Sequence, residues 1–203
     1  MTSTRPQASA VPASAHPAGW RFGTLSAAVA TVAAAVVLAG AGPTTGVVLT
    51  SGDAIAIAQG VSVTPAPGWT LGNRGPNWVA LNNADTSAQM RITVKQAGGT
   101  DAAAVLSSDI DQFTRGASAI LTEVNRLTPP ETKPLQGPNF QQEASVNYTA
   151  NVVNPQGTIP VIGTFTELLN TSNGRSAFID FRQGGNATTQ AAGDGGMMIS
   201  SMQ

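Results

Sequence analysis

Few side chains in this sequence have a type and spacing that would support a reaction. Asp109 and Asp111, with Glu123 further on, come closest to clustered acids. Such a pair could share a proton or hold a cation, but positions i and i+2 of a helix point to different faces, so a solvated helix surface is the expectation. Ser107 and Ser108 have no His and no nearby Lys to activate them. Asp180 and Arg182 fall on one side of a strand, and with Glu167 on a neighbour they predict a cross-strand ion pair. Gly184, Gly185, Gly195 and Gly196 lack the Lys-Ser/Thr pair that follows a phosphate-binding loop. The one histidine, His16, lies near the N-terminus, and there is no cysteine. Ser-His, Cys-His and thiolate chemistry and the common zinc sites are therefore out of reach downstream. No catalytic residue, cofactor site or metal site is expected. Trp69, Trp78, Phe165 and Phe181 could line an apolar pocket, although a domain with so few aromatics is expected to use them first in its core.

Place is more legible than chemistry. The run 22–42 opens on Phe22, closes on Gly42 and has neither charge nor proline. A bilayer core of about 30 Å needs roughly 20 helical residues, so this length can span one. Arg5 and Arg21 precede the run without an acidic residue, which predicts a cytoplasmic N-terminus and an exported remainder. Trp20 stands where an interfacial aromatic would anchor the span. The competing reading is a cleaved signal peptide, because Ala39-Gly40-Ala41 fits the small-x-small rule. A leading segment of about 20 residues and a long apolar stretch favour an uncleaved signal anchor. Residues 1–21, rich in Pro, Ser and Ala, read as a disordered cytoplasmic tail.

The exported part, about 150 residues, has the size of one domain. Ten basic against eleven acidic side chains show no basic patch, so no nucleic-acid partner is expected. Residues 43–60 read as a linker with short strands, and 61–203 as the domain. Trp78 and Ala80 mark one strand, and Met90, Ile92 and Val94 alternate with Arg91, Thr93 and Lys95 on the next, with a turn at Asn82 to Asp85. From Asp101 the period lengthens. Leu106, Ile110, Phe113, Ala117, Leu121 and Val124 predict one amphipathic helix over 101–125, capped by Thr100 and kinked or closely packed at Gly116. Strands are predicted at 144–153, 158–169 and 175–182, then a terminal helix over 186–202 with Ala191, Met198 and Met202 inward. The stretch 127–140 contains Pro129, Pro130, Glu131, Lys133 and Pro134. It reads as a stiff loop, either a plain crossover or a partner-binding segment.

The expected fold class is α+β, an antiparallel sheet covered by a long helix and a C-terminal helix, preceded by one transmembrane helix. Gly60-Val61-Ser62-Val63-Thr64-Pro65-Ala66-Pro67-Gly68-Trp69, the long helix after the hairpin and the terminal segment Asp194 to Met202 resemble the PsbP-like fold. That group includes the photosystem PsbP proteins, the Ran-binding Mog-type proteins and the LpqN-type exported proteins of mycobacteria. The Ala, Gly, Thr and Pro bias is similar to that of an actinobacterial membrane protein. Lack of a lipobox cysteine departs from the LpqN pattern and puts a signal anchor where that group has a lipid. The resemblance implies binding or assembly with an envelope protein or lipid. The expected function is thus a non-catalytic, membrane-anchored envelope protein. The alternatives are a carrier of a small apolar or lipid ligand and, with less support, an enzyme working through carboxylates alone.

Overall fold

A computed structural model describes residues 52–203. The predicted tail, the run 22–42, His16 and the first half of the predicted linker lie outside the described residues. Among the described residues no helix is long and apolar enough to cross a membrane.

The chain opens with a small antiparallel hairpin, β1 (Ile55–Ala58) and β2 (Val61–Val63). Its two-residue turn, Gln59-Gly60, has positive φ at both positions (51° and 78°), the backbone that a tight hairpin turn of this length requires. An eight-stranded antiparallel sheet follows, built from β3 (Thr70–Arg74), β4 (Trp78–Asn82), β5 (Ala88–Gln96), β6 (Leu121–Arg126), β7 (Glu131–Pro134), β8 (Gln142–Asn154), β9 (Gly157–Leu169) and β10 (Arg175–Gly184). The spatial order is β3-β4-β5-β10-β9-β8, and β7 and β6 pair with successive stretches of the outer edge of β8. Two helices complete the fold, α1 (Ala102–Gly116) after β5 and α2 (Thr189–Ser200) at the end. The architecture is α+β with an antiparallel sheet and two helices.

Each face of the sheet carries its own core. On one face Val79, Leu81, Met90, Ile92, Leu168 and Ile179 pack with the β1–β2 hairpin, Trp69, Phe140 and Met198 and Met202 from the C-terminal segment. On the other, Leu106 and Ile110 of α1 pack on Val146, Tyr148, Phe165 and Phe178. Phe165 stacks on Tyr148 with ring centroids 4.0 Å apart, and half-buried Phe113 meets Phe165 edge-on at 5.8 Å. Trp69, Phe165 and Phe181 are core residues, as their scarcity predicts.

Four expectations need correction. The predicted helix over 101–125 stops at Gly116, where the Ala117 N–H closes on the Phe113 carbonyl. Its cap is Asp101 rather than Thr100, since the Asp101 carboxylate accepts from Ala104 N at 2.9 Å. Leu121 and Val124 belong to β6, and their spacing of three mimics a helix for a specific reason. The β6–β8 register shifts between Thr122 and Asn125, and Glu123 has a φ of 53°. One extra residue in the strand brings Leu121 and Val124 onto the same core. The stretch 127–140 is not a free loop, because Glu131–Pro134 forms β7. Nor is Asp109 solvated: it is buried beneath α1 and paired with Lys95. Asp111 remains outside, 3.6 Å from Arg126, so the two acids do lie on different faces.

Candidate functional site

Helix α1 packs over β8 and β9 and leaves the β4–β5 part of the same sheet face without a helix. Apart from Ala80, the residues of β4, β5 and β10 that point this way are polar or aromatic and mostly half-buried. Strand register arranges them in rows. Asn82, Gln89, Arg182 and Gly163 lie side by side across β4, β5, β10 and β9, and Tyr148 on β8 pairs with Gly163. The next row runs Ala80, Arg91, Asp180, Phe165.

Hydrogen bonds tie these rows into a ladder. Gln89 Nε2 donates to Asn82 Oδ1 at 3.0 Å, and Arg182 Nη2 donates to Gln89 Oε1 at 2.7 Å. Arg182 Nε stands 3.7 Å from Asp180 Oδ2, and the Tyr148 hydroxyl donates to Asp180 Oδ1 at 2.5 Å. Tyr148 can reach across because position 163 is glycine, where a Cβ would come 2.6 Å from its ring. Burial first, and the Asp180 charge with it, push the Tyr148 pKa well above its ordinary value, so the phenol stays a donor. Arg91 lies with its guanidinium 4.3 Å from the centroid of the Trp78 ring, and Gly75 backs that ring closely. Burial lowers the Arg91 pKa, Asp180 works against the shift and Arg182 adds to it. An arginine stays charged regardless, so the direction identifies a cation with too little compensation. Of the two guanidiniums only that of Arg182 lies within ion-pair distance of Asp180.

A cleft of about 350 Å³ opens where the Asn82–Gln89–Arg182 row ends. Its floor is apolar, from Ile120, Val152, Ile159 and Val161, and continues the α1-side core. Its rim is the β4–β5 turn, with Asp85 to Ser87, and Asn186 opposite. Asp85 is committed to that turn: its Oδ1 accepts from Ser87 N at 3.0 Å and from Ser87 Oγ at 2.6 Å, which holds its pKa below the ordinary carboxylate value.

A second polar cluster is sealed beneath α1. Glu167 is fully buried beside Asp109, Lys95 and Ser176. Neither of its oxygens accepts a hydrogen bond. Burial, then Asp109, push its pKa up to about 9, so at neutral pH Glu167 carries a proton. It therefore does not join Asp180 and Arg182 in the predicted ion pair. No substrate reaches it.

The predicted partner-binding residues lie at the other end of β8. Pro129 is exposed and Pro130 half-buried; Glu131, Lys133 and Pro134 stand exposed on β7, with Lys133 Nζ 3.0 Å from Glu143 Oε1. β7 pairs with the Gln142 end of β8, whereas Val152, near its far end, floors the cleft. Of the residues on the exposed sheet face, Asp180 and Arg182 are visible in the sequence as an alternating pair, and Arg91, Thr93 and Lys95 as the outward side of a strand. Tyr148, Gln89 and the Trp78–Arg91 stack are not, because cross-strand register brings them together from segments far apart. Among the described residues no group of three or more His, Cys, Asp or Glu could hold a metal ion.

No protein-family model matches the sequence, and no curated protein does. Among solved structures, the Ran-binding protein Mog1p of Saccharomyces cerevisiae aligns with a TM-score of 0.49 at 10% identity, over 75% of this chain and 93% of that one. A point mutant of Mog1 aligns with the same TM-score and identity over 74% and 92%. A protein of Bacteroides thetaiotaomicron aligns with a TM-score of 0.36 at 12% identity, over 76% of this chain and 48% of that one.

Proposed function

We propose that this chain is a membrane-anchored envelope protein of the PsbP-like, LpqN type, whose exported domain binds another envelope component and performs no reaction. The run 22–42 after Arg21 supports the anchor. The observation that carries the binding reading is the helix-free sheet face, on which Arg182 lies 3.7 Å from Asp180 while Arg91, stacked over Trp78, has no acidic side chain within ion-pair distance among the described residues. Arginine and tryptophan are the side chains most often found to dominate protein interfaces, and an excess guanidinium on a half-desolvated surface is matched by an anionic group on a partner. Catalysis has no comparable support. Ser107 spends its hydroxyl on the Ala103 carbonyl, and Ser176 is fully buried beside Glu167.

A photo-crosslinker placed at position 78 or at position 133 in intact cells tests the reading. Partners captured from position 78 and lost in Arg91→Glu support the sheet face. Capture from position 133 alone would move the contact to β7 and the stretch with Pro129 and Pro130, and capture from neither would overturn the binding reading. The alternative carrier reading keeps one specific observation, the apolar floor of the cleft, because Trp69, Phe165, Phe181, Met198 and Met202 are occupied in the cores. Mass spectrometry of the domain under native and denaturing conditions decides it: a stoichiometric apolar ligand would favour the carrier.

A further inference from the structure

We infer that the cleft at the end of the ladder receives the C-terminal end of a partner's polypeptide, its free carboxylate on Arg182 and its last apolar side chains on Val152, Ile159 and Val161. The inference rests on the binding reading above and names the part of the partner that would enter.

Arg182 is held in place before any ligand arrives. Gln89 fixes Nη2 and Asp180 Oδ2 pairs with Nε at 3.7 Å, which leaves Nη1 as the unengaged donor of the planar fork for a carboxylate. The only acid on the rim, Asp85, is bound into its own turn and does not neutralise this arginine. Ile159 is 46% exposed, apolar surface that water covers at a cost and a short apolar side chain would cover well. A volume of about 350 Å³ lies at the low end of the roughly 300–1,000 Å³ typical of small-ligand sites, which suits a few residues and not a folded surface. The rim separates a peptide from an acyl chain. Asn82, Asn154 and Asn186 line the cleft around the apolar floor; the Oδ1 atoms of Asn82 and Asn154 already accept from Gln89 and Gln156, which leaves their amide N–H groups as donors. Peptide groups pair with amides, whereas an alkyl chain would bury them without partners.

The test uses the full chain in lipid nanodiscs. An array of short peptides ending in two apolar residues is offered, each as the free carboxylate and as the C-terminal amide, with sodium decanoate as the acyl probe. Free-carboxylate peptides are expected to bind, and amidation to weaken binding by about tenfold or more, since one charge-assisted pair is lost. Arg182→Gln should abolish the difference between acid and amide. Ile159→Ser, at an exposed position, should weaken both forms alike and leave the fold intact; it serves as the second variant if Arg182→Gln loosens the ladder. Equal affinity for acid and amide overturns the inference, as does absence of binding or stoichiometric, Arg182-dependent binding of decanoate. If crosslinks at position 78 persist while no peptide binds, this inference fails and the binding reading stands. If both are lost, both fail.

Discussion

Glu167 and Tyr148 show how single polar side chains behave when a sheet and a helix close over them. Glu167 has a folded pKa of about 9 against an ordinary value of 4.5, so the folded state holds a proton that the unfolded chain releases between those values. Its contribution to stability is intact below about pH 4.5 and declines as pH rises toward 9. Glu167→Gln, which keeps the shape of the protonated acid, should flatten that decline. Urea denaturation from pH 5 to 8 should show the variant gaining on the wild type as pH rises, by up to a few kcal/mol. A constant difference across that range would show that Glu167 is ionised in the fold. Tyr148→Phe removes the donor to Asp180 and leaves a buried carboxylate oxygen unpaired. A loss of about 1.5–3 kcal/mol is expected for a hydrogen bond to a charged group. Unchanged stability would mean that water replaces the hydroxyl. The pairing was illegible in the sequence, since Tyr148 and Asp180 lie on strands that are not even neighbours and meet only because Gly163 between them has no side chain.

The same contrast between local code and long-range contact recurs in the secondary-structure elements. Strand β5 was readable because its two-residue alternation survives folding, with Met90, Ile92 and Val94 fully buried. Helix α1 was readable at its start and over-extended at its end, because the bulge in β6 imitates a helical period that only pairing with β8 can distinguish. Strand β7 was hidden by prolines that suit an outer edge, where a missing N–H costs little. Helix α2 gives a paired prediction. Gly195 packs on Phe181, and a Cβ there would come 2.9 Å from the ring, whereas Gly196 is exposed with nothing within 4 Å. Gly196→Ala should stabilise by up to about 1 kcal/mol through helix propensity. Gly195→Ala makes the same propensity gain but crowds the Phe181 ring, and a net loss of about 1 kcal/mol is expected. Guanidinium unfolding of both variants measures the difference, and equal gains would mean that α2 can move away from the sheet.

For the whole molecule the proposed anchor makes a topological prediction. A reporter fused after Gln203 should be active only outside the cytoplasm, and the full chain should stay with membranes through a carbonate wash. Recovery of a soluble chain beginning near Gly42 would replace the anchor with a cleaved signal. Partner capture through the sheet face should also weaken as salt rises, because exposed guanidinium contacts are screened over about 10 Å at 0.1 M.

By itself the sequence determined the α+β class, the half-buried strand β5, the antiparallel meander from β8 to β10 and the lack of His and Cys after residue 42, which removes Ser-His, Cys-His and thiolate chemistry there. These follow from local periodicity, turn residues and composition, none of which requires knowing what packs against what. The tertiary structure alone decided where charge is sealed in and where it is left open. Asp109 and Glu167 disappear beneath α1, while Arg91 and Arg182 stay at a helix-free face. Whether α1 covers β8 and β9 or β4 and β5 depends on contacts between segments distant in sequence, whose energies come from surface buried against one another.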